Sequence, residues 1–365
     1  PKIGAKFTPI RELALRGTYS RGFRIASFNE AYGLPTTGYI TTQVQCGTAA
    51  NPNPTYAPYC SSHGYNAYAT SSFAYGLTAT GNPNLKPEKS RSFTFGTVFE
   101  PSRHLSFTVD YFNIKINDLI TGADYSKAVQ QYFANNGVVT VPGITVTPGL
   151  PDLANPGALP QIGTIEYLFQ NANSLLSKGV DFGATSRFQI GRVKWTSYLE
   201  ASYLLKYSKT YDNGNVQRYD GTLSPCDVTS CSGAPKWRGS WQNTLDFGRF
   251  KTSLTSYYTS GYDLASTDYG GAPGECATTN IGASVVTYDD GTPILCRGKS
   301  FMSHDLTMAL DVGDHFTLYA NVLNLLDTKA PYDPSAAYGI YNYNVAWAQS
   351  GFIGRYFRMG ARVNF

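Results

Sequence analysis

The chain is short of charge, methionine and histidine. Asp, Glu, Lys and Arg supply 15% of its 365 residues, Met occurs 3 times and His 4 times. So little charge excludes a long charged helix or coiled coil, while 42% hydrophobic content excludes a disordered polymer. The 29 basic and 25 acidic residues are interspersed without a basic block, so nothing points to nucleic acid. No run of 18 apolar residues exists, which excludes a transmembrane helix. It does not exclude membrane-spanning strands, which need about 9–11 residues of alternating polarity. His-Glu-x-x-His, Gly-x-Ser-x-Gly and Gly-x-Gly-x-x-Gly are all missing, and His63, His104, His304 and His315 are scattered. The expectation is a protein without catalytic residues, resident metal or cofactor. Paired carboxylates of the glycosidase kind stay open, because their spacing is spatial.

What is abundant points to β structure: 36 Gly, 20 Pro, 28 Tyr and 20 Phe. Alternation is the main pattern. Phe93, Phe95 and Phe99 share one face, and Leu105, Phe107, Val109 and Tyr111 alternate with Ser106, Thr108 and Asp110. Val193, Trp195, Leu199, Ala201 and Tyr203 alternate with Lys194, Thr196, Glu200 and Ser202. About eleven such segments fall near 1–9, 13–24, 88–100, 104–118, 174–188, 192–207, 236–247, 250–262, 299–312, 315–326 and 352–364. Many exceed the usual five or six residues of a soluble strand. A phase change at Tyr111–Phe112 predicts a bulge or a strand rising above a bilayer.

The connections alternate strictly between short and long. Tight turns are predicted at Pro9–Glu12, Pro101–Arg103, Ile190–Gly191, Gly248–Arg249 and Gly313–Asp314, with long loops at 25–87, 119–173, 208–235, 263–298 and 327–351. In an up-and-down sheet this gathers turns at one end and loops at the other, as in outer-membrane barrels. Six Cys form three close pairs, Cys46 with Cys60, Cys226 with Cys231 and Cys276 with Cys296, each inside one long loop. Six Cys allow fifteen connectivities, of which loop-local pairing is simplest, and it implies an oxidising compartment. The competing reading, thiolate metal ligation, lacks Cys-x-x-Cys or His-rich spacing.

Three passages resemble the TonB-dependent outer-membrane receptors. Asn82-Pro83-Asn84-Leu85-Lys86-Pro87-Glu88 resembles the stretch that leads into a barrel strand of that family. Gly22-Phe23-Arg24-Ile25-Ala26-Ser27-Phe28-Asn29-Glu30 is similar to its Gly-Phe-Arg-x-Pro-x-x-Glu segment, with Ala26 where Pro is usual. Asn321–Asp327, Gly354–Arg358 and Phe365 resemble its last two strands, and Lys178–Asp181 one of its strand starts. On the final strand Phe357, Met359, Ala361, Val363 and Phe365 share one face, and Arg358, Gly360, Arg362 and Asn364 the other. Arg358, Gly360, Val363 and Phe365 also resemble the signal read by the barrel-assembly machinery.

The resemblance implies an all-β, antiparallel up-and-down transmembrane barrel, with about eleven of an expected 22 strands over residues 1–365. The plug domain, the TonB-contacting segment and the first barrel half are expected to be absent, and Pro1–Phe7 to begin inside a strand rather than a signal peptide. It implies an outer-membrane location in a Gram-negative bacterium with long loops extracellular. It also implies energised uptake of a ferric siderophore or oligosaccharide-type nutrient, and the TonB complex and outer-membrane lipid as partners. Candidate ligand contacts are Arg24, Tyr65, Tyr68, Tyr75, Tyr341, Tyr343 and Trp347, whose rings and polar tips suit sugars or aromatic chelators. The bland reading is that such tyrosines pack the loops or form an interfacial girdle, that Arg24 and Lys86 pair with carboxylates, and that Asp268, Asp289 and Asp290 bind nothing. The alternatives are a secreted disulfide-bonded β protein that binds or processes carbohydrate, and a passive porin or adhesin.

Overall fold

The computed structural model describes residues 1–123, 125–210, 216–222, 233–263, 297–332 and 343–363. Cys226, Cys231, Cys276, Cys296, Asp268, Asp289, Asp290, Tyr341 and Phe365 lie outside them. The chain divides into two compact units: Pro1–Gly22, Ser90–Lys115 and Leu175–Phe365, and Phe23–Lys89 with Ile116–Ser174.

The first unit is built on eleven strands. They are β1 (Lys2–Ile10), β2 (Leu13–Arg24), β3 (Glu88–Ser102), β4 (Leu105–Asn117), β5 (Ser174–Ile190) and β6 (Val193–Thr210). The rest are β7 (Trp237–Asp246), β8 (Phe250–Thr259), β9 (Phe301–Val312), β10 (Phe316–Leu323) and β11 (Tyr356–Val363). Their spatial order is their chain order, and a short strand, Val216–Arg218, adds to β6. The resolved registers are antiparallel. All eleven predicted segments are therefore strands of one up-and-down sheet. Three boundaries differ from the expectation. β1 continues through Pro9 and Ile10, with a register shift after Phe7. Pro9 falls within that shift, where the ladder is interrupted and a missing donor is tolerated. β3 runs on through Pro101 and Ser102, part of a predicted turn. Phe352 and Ile353, predicted to open the last strand, end a helix, Val345–Ile353, in the segment predicted as a loop.

Alternation becomes two distinct faces. One exposes large apolar side chains, among them Phe95, Phe107, Phe182, Leu199, Leu245, Leu254, Leu310, Leu318 and Met359. Rings collect at both ends of this face. Near the tight turns His104 stacks on Phe188 and Phe188 on Trp195, both at 5.8 Å, and Phe247 stacks on Phe250. Toward the other end Trp237 lies 4.5 Å from Tyr203 and 6.0 Å from Phe182. Trp195 and Tyr203 are about 27 Å apart along an extended strand, or ~20 Å in height at barrel-like tilt, close to a hydrocarbon band. Polar groups on this face are paired: Trp195 Nε1 donates to Asn243, Trp241 Nε1 to Ser197, and Ser256 bonds His304. Hydrocarbon requires such pairing, since no water is present to take an open bond.

The opposite face is polar. Thr18 meets Thr94 at 2.6 Å, Thr244 meets Ser253 at 2.8 Å, and Ser202 donates to Asp181. Arg16 on β2 reaches Asp110 on β4 with two bonds of 2.9 and 2.5 Å, across the intervening β3. Gly96 on β3 makes room for it: a Cβ there would sit 1.9 Å from Asp110 Oδ1. On β4 exposure passes from Phe107 and Val109 to Ile114 within one continuous strand, which is the predicted phase change.

The second unit corrects the expectation of plain loops at 25–87 and 119–173. Within it Thr36–Thr42, Phe73–Thr80, Ile162–Asn171 and Ile120–Gly122 form a sheet in that order, and Ile144–Pro148 pairs with Ile162–Asn171. Phe73–Thr80 runs parallel to Ile162–Asn171. The helices α1 (Phe28–Tyr32), α2 (Ala57–Ser62), α3 (Ala67–Thr70) and α4 (Tyr125–Ala134) complete it. Its core contains Tyr59, Cys60, Tyr75, Tyr132, Phe133, Ile162 and Ile165, fastened by the Cys46–Cys60 disulfide.

Candidate functional site

Two of the recognised passages converge on one charge cluster inside the second unit. Ser27 caps α1, its hydroxyl accepting from Glu30 N while Glu30 accepts from Ser27 N, a reciprocal capping box. Arg24 then grips Glu30 with bonds of 2.8 and 3.1 Å and Glu88 with bonds of 2.8 and 2.6 Å. Glu88 is buried and also accepts from Ile120 N. These contacts hold the Glu30 carboxyl down to about 2, Arg24 being the main cause. Arg24 is thus a fork between two carboxylates, the pairing set beside ligand contact in the sequence reading. In the second passage Asn82 donates to Phe169 O, and Asn171 bonds the backbone of Lys86 on both sides. These asparagines carry the chain into β3.

The tyrosine candidates fall in two groups. Tyr75 is 2% exposed, and desolvation pushes its phenol well above the ordinary range. Tyr68 donates to Leu150 O and accepts from Gln161 N. Tyr65 packs against the same core from a left-handed backbone, φ 54°. Tyr59, Phe133 and Tyr132 pack edge to face around them, and burial pushes the Tyr132 phenol up to about 12. Tyr65, Tyr68 and Tyr75 therefore help to build the lobe, Tyr75 from its interior. Tyr343 and Trp347 belong to the first unit. Tyr343 packs against Phe301, Ala330 and Ala348, and Trp347 meets Tyr262 edge-on at 4.5 Å.

A buried polar knot ties two connections of the second unit. His63, 1% exposed, has Nδ1 2.8 Å from Asp152 Oδ2 and Nε2 2.9 Å from Leu159 O. Each ring nitrogen thus faces an oxygen that accepts, one on a side chain and one on the backbone. Asp152 also accepts from Asn66 and Asn155, and hydrogen bonds from Asn155, His63 and Asn66 hold its carboxyl below the usual range.

The open surface of this unit offers residues that sequence reasoning passed over. A groove of about 340 Å³ is lined by Asn29, Leu34, Thr36, Gly38, Tyr167 and Phe169, among others. Tyr167 and Phe169 meet edge to face at 6.2 Å. Phe28, Tyr32 and Tyr39 are exposed by 62–80% in the same stretch of chain. Their signal was present as aromatic density over 28–39 and 167–169, outside the loop centre where tyrosines are commonest. In the first unit the polar face forms a second hollow, about 580 Å³, lined by Asp181, Tyr198, Glu200, Ser202, Arg238 and Tyr257. Among the described residues no group of three His, Cys, Asp or Glu is placed to hold a metal.

On β11, Phe357, Met359 and Val363 are exposed on the apolar face, while Arg358 pairs in register with Asn321 and Arg362 with Thr317. Gly360 lies opposite Tyr319, whose hydroxyl would be 2.4 Å from an added Cβ.

A long up-and-down sheet, apolar and ring-bordered on one face and hydrogen-bonded on the other, is the wall of a membrane β-barrel. The model of the TonB dependent receptor-like β-barrel family matches residues 1–325, and the chain belongs to that family. No curated protein matches it. Among solved structures it is similar to the siderophore receptor PirA of Acinetobacter baumannii, with 12% identity and a TM-score of 0.57, covering 100% of this chain and 41% of that one. It is also similar to the ferric enterobactin receptor PfeA of Pseudomonas aeruginosa, solved with enterobactin, at 13% identity and a TM-score of 0.55, covering 100% and 40%. The chain thus spans about two fifths of the receptors it resembles.

Proposed function

We propose that the chain is part of an outer-membrane receptor of a Gram-negative bacterium that takes up a ferric siderophore-class nutrient with energy delivered by TonB. The observation that carries this reading is the ring-bordered apolar face of the eleven-stranded sheet, together with a family match over residues 1–325. The long connections would face the exterior and the tight turns the periplasm. Within the disulfide-fastened lobe, the groove beside Tyr167 and Phe169 is the candidate ligand surface. Aromatic walls with an amide and a hydroxyl suit a planar chelator ring. Tyr341, Tyr343 and Trp347 are further candidate contacts. The receptor binds and gates, so its residues do no covalent chemistry. The barrel-assembly machinery is the expected partner for Arg358, Gly360, Val363 and Phe365. A glycan ligand is the competing nutrient class within the same reading.

The test uses the full-length receptor in cells with and without TonB, with ferric enterobactin and a ferric hydroxamate as probes. Accumulation that depends on both receptor and TonB is expected for one of them. Equal accumulation without TonB identifies a passive pore, and recovery of the protein in the soluble fraction without detergent removes the membrane assignment.

A further inference from the structure

We propose that the tight-turn rim of the first unit is a collar that docks the phosphate headgroups of anionic phospholipids. The inference rests on the membrane reading and adds a lipid partner to one rim.

Four of the five tight turns carry one arginine each: Arg11, Arg103, Arg192 and Arg249. All four are exposed, and among the described residues none is in an ion pair. None of these turn cations is a lysine. The acids of the rim are Glu12 and Asp314 in turns, Asp246 paired with Lys251, Asp311 bonded to Thr317, and Glu100. Glu12 alone shares a turn with one of the four arginines.

The surroundings distinguish this collar from scattered solubilising charge. The exposed apolar face runs right up to the turns: Phe7, Ile10, Phe99, Phe188, Ile190, Phe247 and Phe250 are all exposed beside them. His104, Phe188 and Trp195 form a continuous stack between two arginine-bearing turns, and Phe247 and Phe250 flank a third. Rings of this kind settle at the headgroup level of a bilayer. A guanidinium one step beyond them lies at phosphate depth, where its planar fork bonds a phosphodiester through two oxygens. Basic side chains near a membrane surface favour anionic lipid, and the effect multiplies with their number. Zwitterionic headgroups offer the same phosphate with its charge cancelled, so the collar discriminates by net charge.

The experiment reconstitutes the full-length receptor in bilayers containing spin-labelled phosphatidylglycerol or phosphatidylcholine, and compares the fraction of each lipid immobilised at the protein. Wild-type protein is expected to prefer phosphatidylglycerol roughly threefold or more. Replacing Arg11, Arg103, Arg192 and Arg249 by Gln brings the preference to parity. If that variant fails to insert, Arg103→Gln and Arg249→Gln singly each lower the preference in part. Equal immobilisation of the two lipids by wild type, or an undiminished preference in every variant, overturns the proposal. Loss of the preference on adding millimolar inorganic phosphate also overturns it, since the site then serves a free anion. Failure of the wild-type protein to enter bilayers removes the membrane reading itself, and with it the collar.

Discussion

Arg24 and Gly96 carry more structure than their side-chain volumes suggest. Arg24 satisfies two carboxylates, and Glu88 in turn satisfies the backbone of Ile120. Replacing Glu88 by Ala leaves a buried N–H without its acceptor and half of the Arg24 fork empty. A local loss of about 2 kcal/mol is expected, discounted because the Arg24 side chain is 46% exposed. Arg24→Lys keeps the charge but not the fork, and its cost should overlap that of Glu88→Ala in a double-mutant cycle. Amide exchange of residues 116–122 is the readout, and strictly additive effects would remove the clamp. Gly96→Ala places a methyl against Asp110 and separates it from Arg16. The resulting overpacking is expected to cost about 1–3 kcal/mol. It should lower the temperature at which the heat-modifiable band of the folded barrel is lost on gels; an unchanged temperature would show that the wall yields there without strain.

At the scale of elements, the sequence reveals strands that pair with chain neighbours and hides those that do not. The eleven wall strands alternate, are long and follow one another, so their positions were readable within a few residues, as for 13–24 against Leu13–Arg24. Phe73–Thr80 pairs with Ile162–Asn171, a partner far away in the chain that no tight turn announces. The same distance hid the inward turn of Tyr75, whose core neighbours include Tyr132, Phe133 and Ile165. The Arg24–Glu30 contact was nearer to legible, since Ser27-x-x-Glu30 is a capping-box spacing. The lobe should respond to acid in a defined direction. Glu30 ionises at about 2 in the folded lobe against 4.5 ordinarily, so the unfolded form binds more protons between those values. Its contribution is complete above pH ~4.5 and drains away as pH falls toward ~2. Asp152, also held below its ordinary value, acts in the same direction. Exchange protection of α2 and α4 should therefore be flat from neutral pH to about 5 and fall below it, and Glu30→Gln should flatten part of that fall. Protection that rose on acidification would contradict the assigned clamp. Reduction of Cys46–Cys60 opens a loop of about 15 residues and is expected to cost the lobe ~3 kcal/mol by chain entropy, without melting β5–β9. Loss of the sheet signal in far-ultraviolet circular dichroism on reduction would show the two units to be one cooperative block.

For the whole molecule, the decisive matter is what covers the apolar face. Leu199 lies midway between the ring belts, 41% exposed, on the face that carries Trp195 and Tyr203. In a water-soluble sheet an arginine at so exposed a place is nearly neutral, because exposed side chains tolerate charge. In a lipid-facing wall the same arginine meets hydrocarbon near the midplane and costs about 2–4 kcal/mol. Leu199→Arg is therefore expected to lower the amount of folded receptor in the outer membrane and its resistance to urea in detergent-free vesicles. Ser240→Arg supplies the control: its register partners Glu200 and Tyr257 line the polar hollow, where a cation finds a carboxylate and water. It should assemble at wild-type levels. Equal tolerance of both arginines would mean that no hydrocarbon lies against Leu199, and the sheet would then have to be read as the wall of a water-filled or protein-covered structure. Loss with Leu199→Arg alone ties the two-residue period of β6 directly to the solvent on each of its faces, which is the physical step that turns an alternating sequence into a membrane wall.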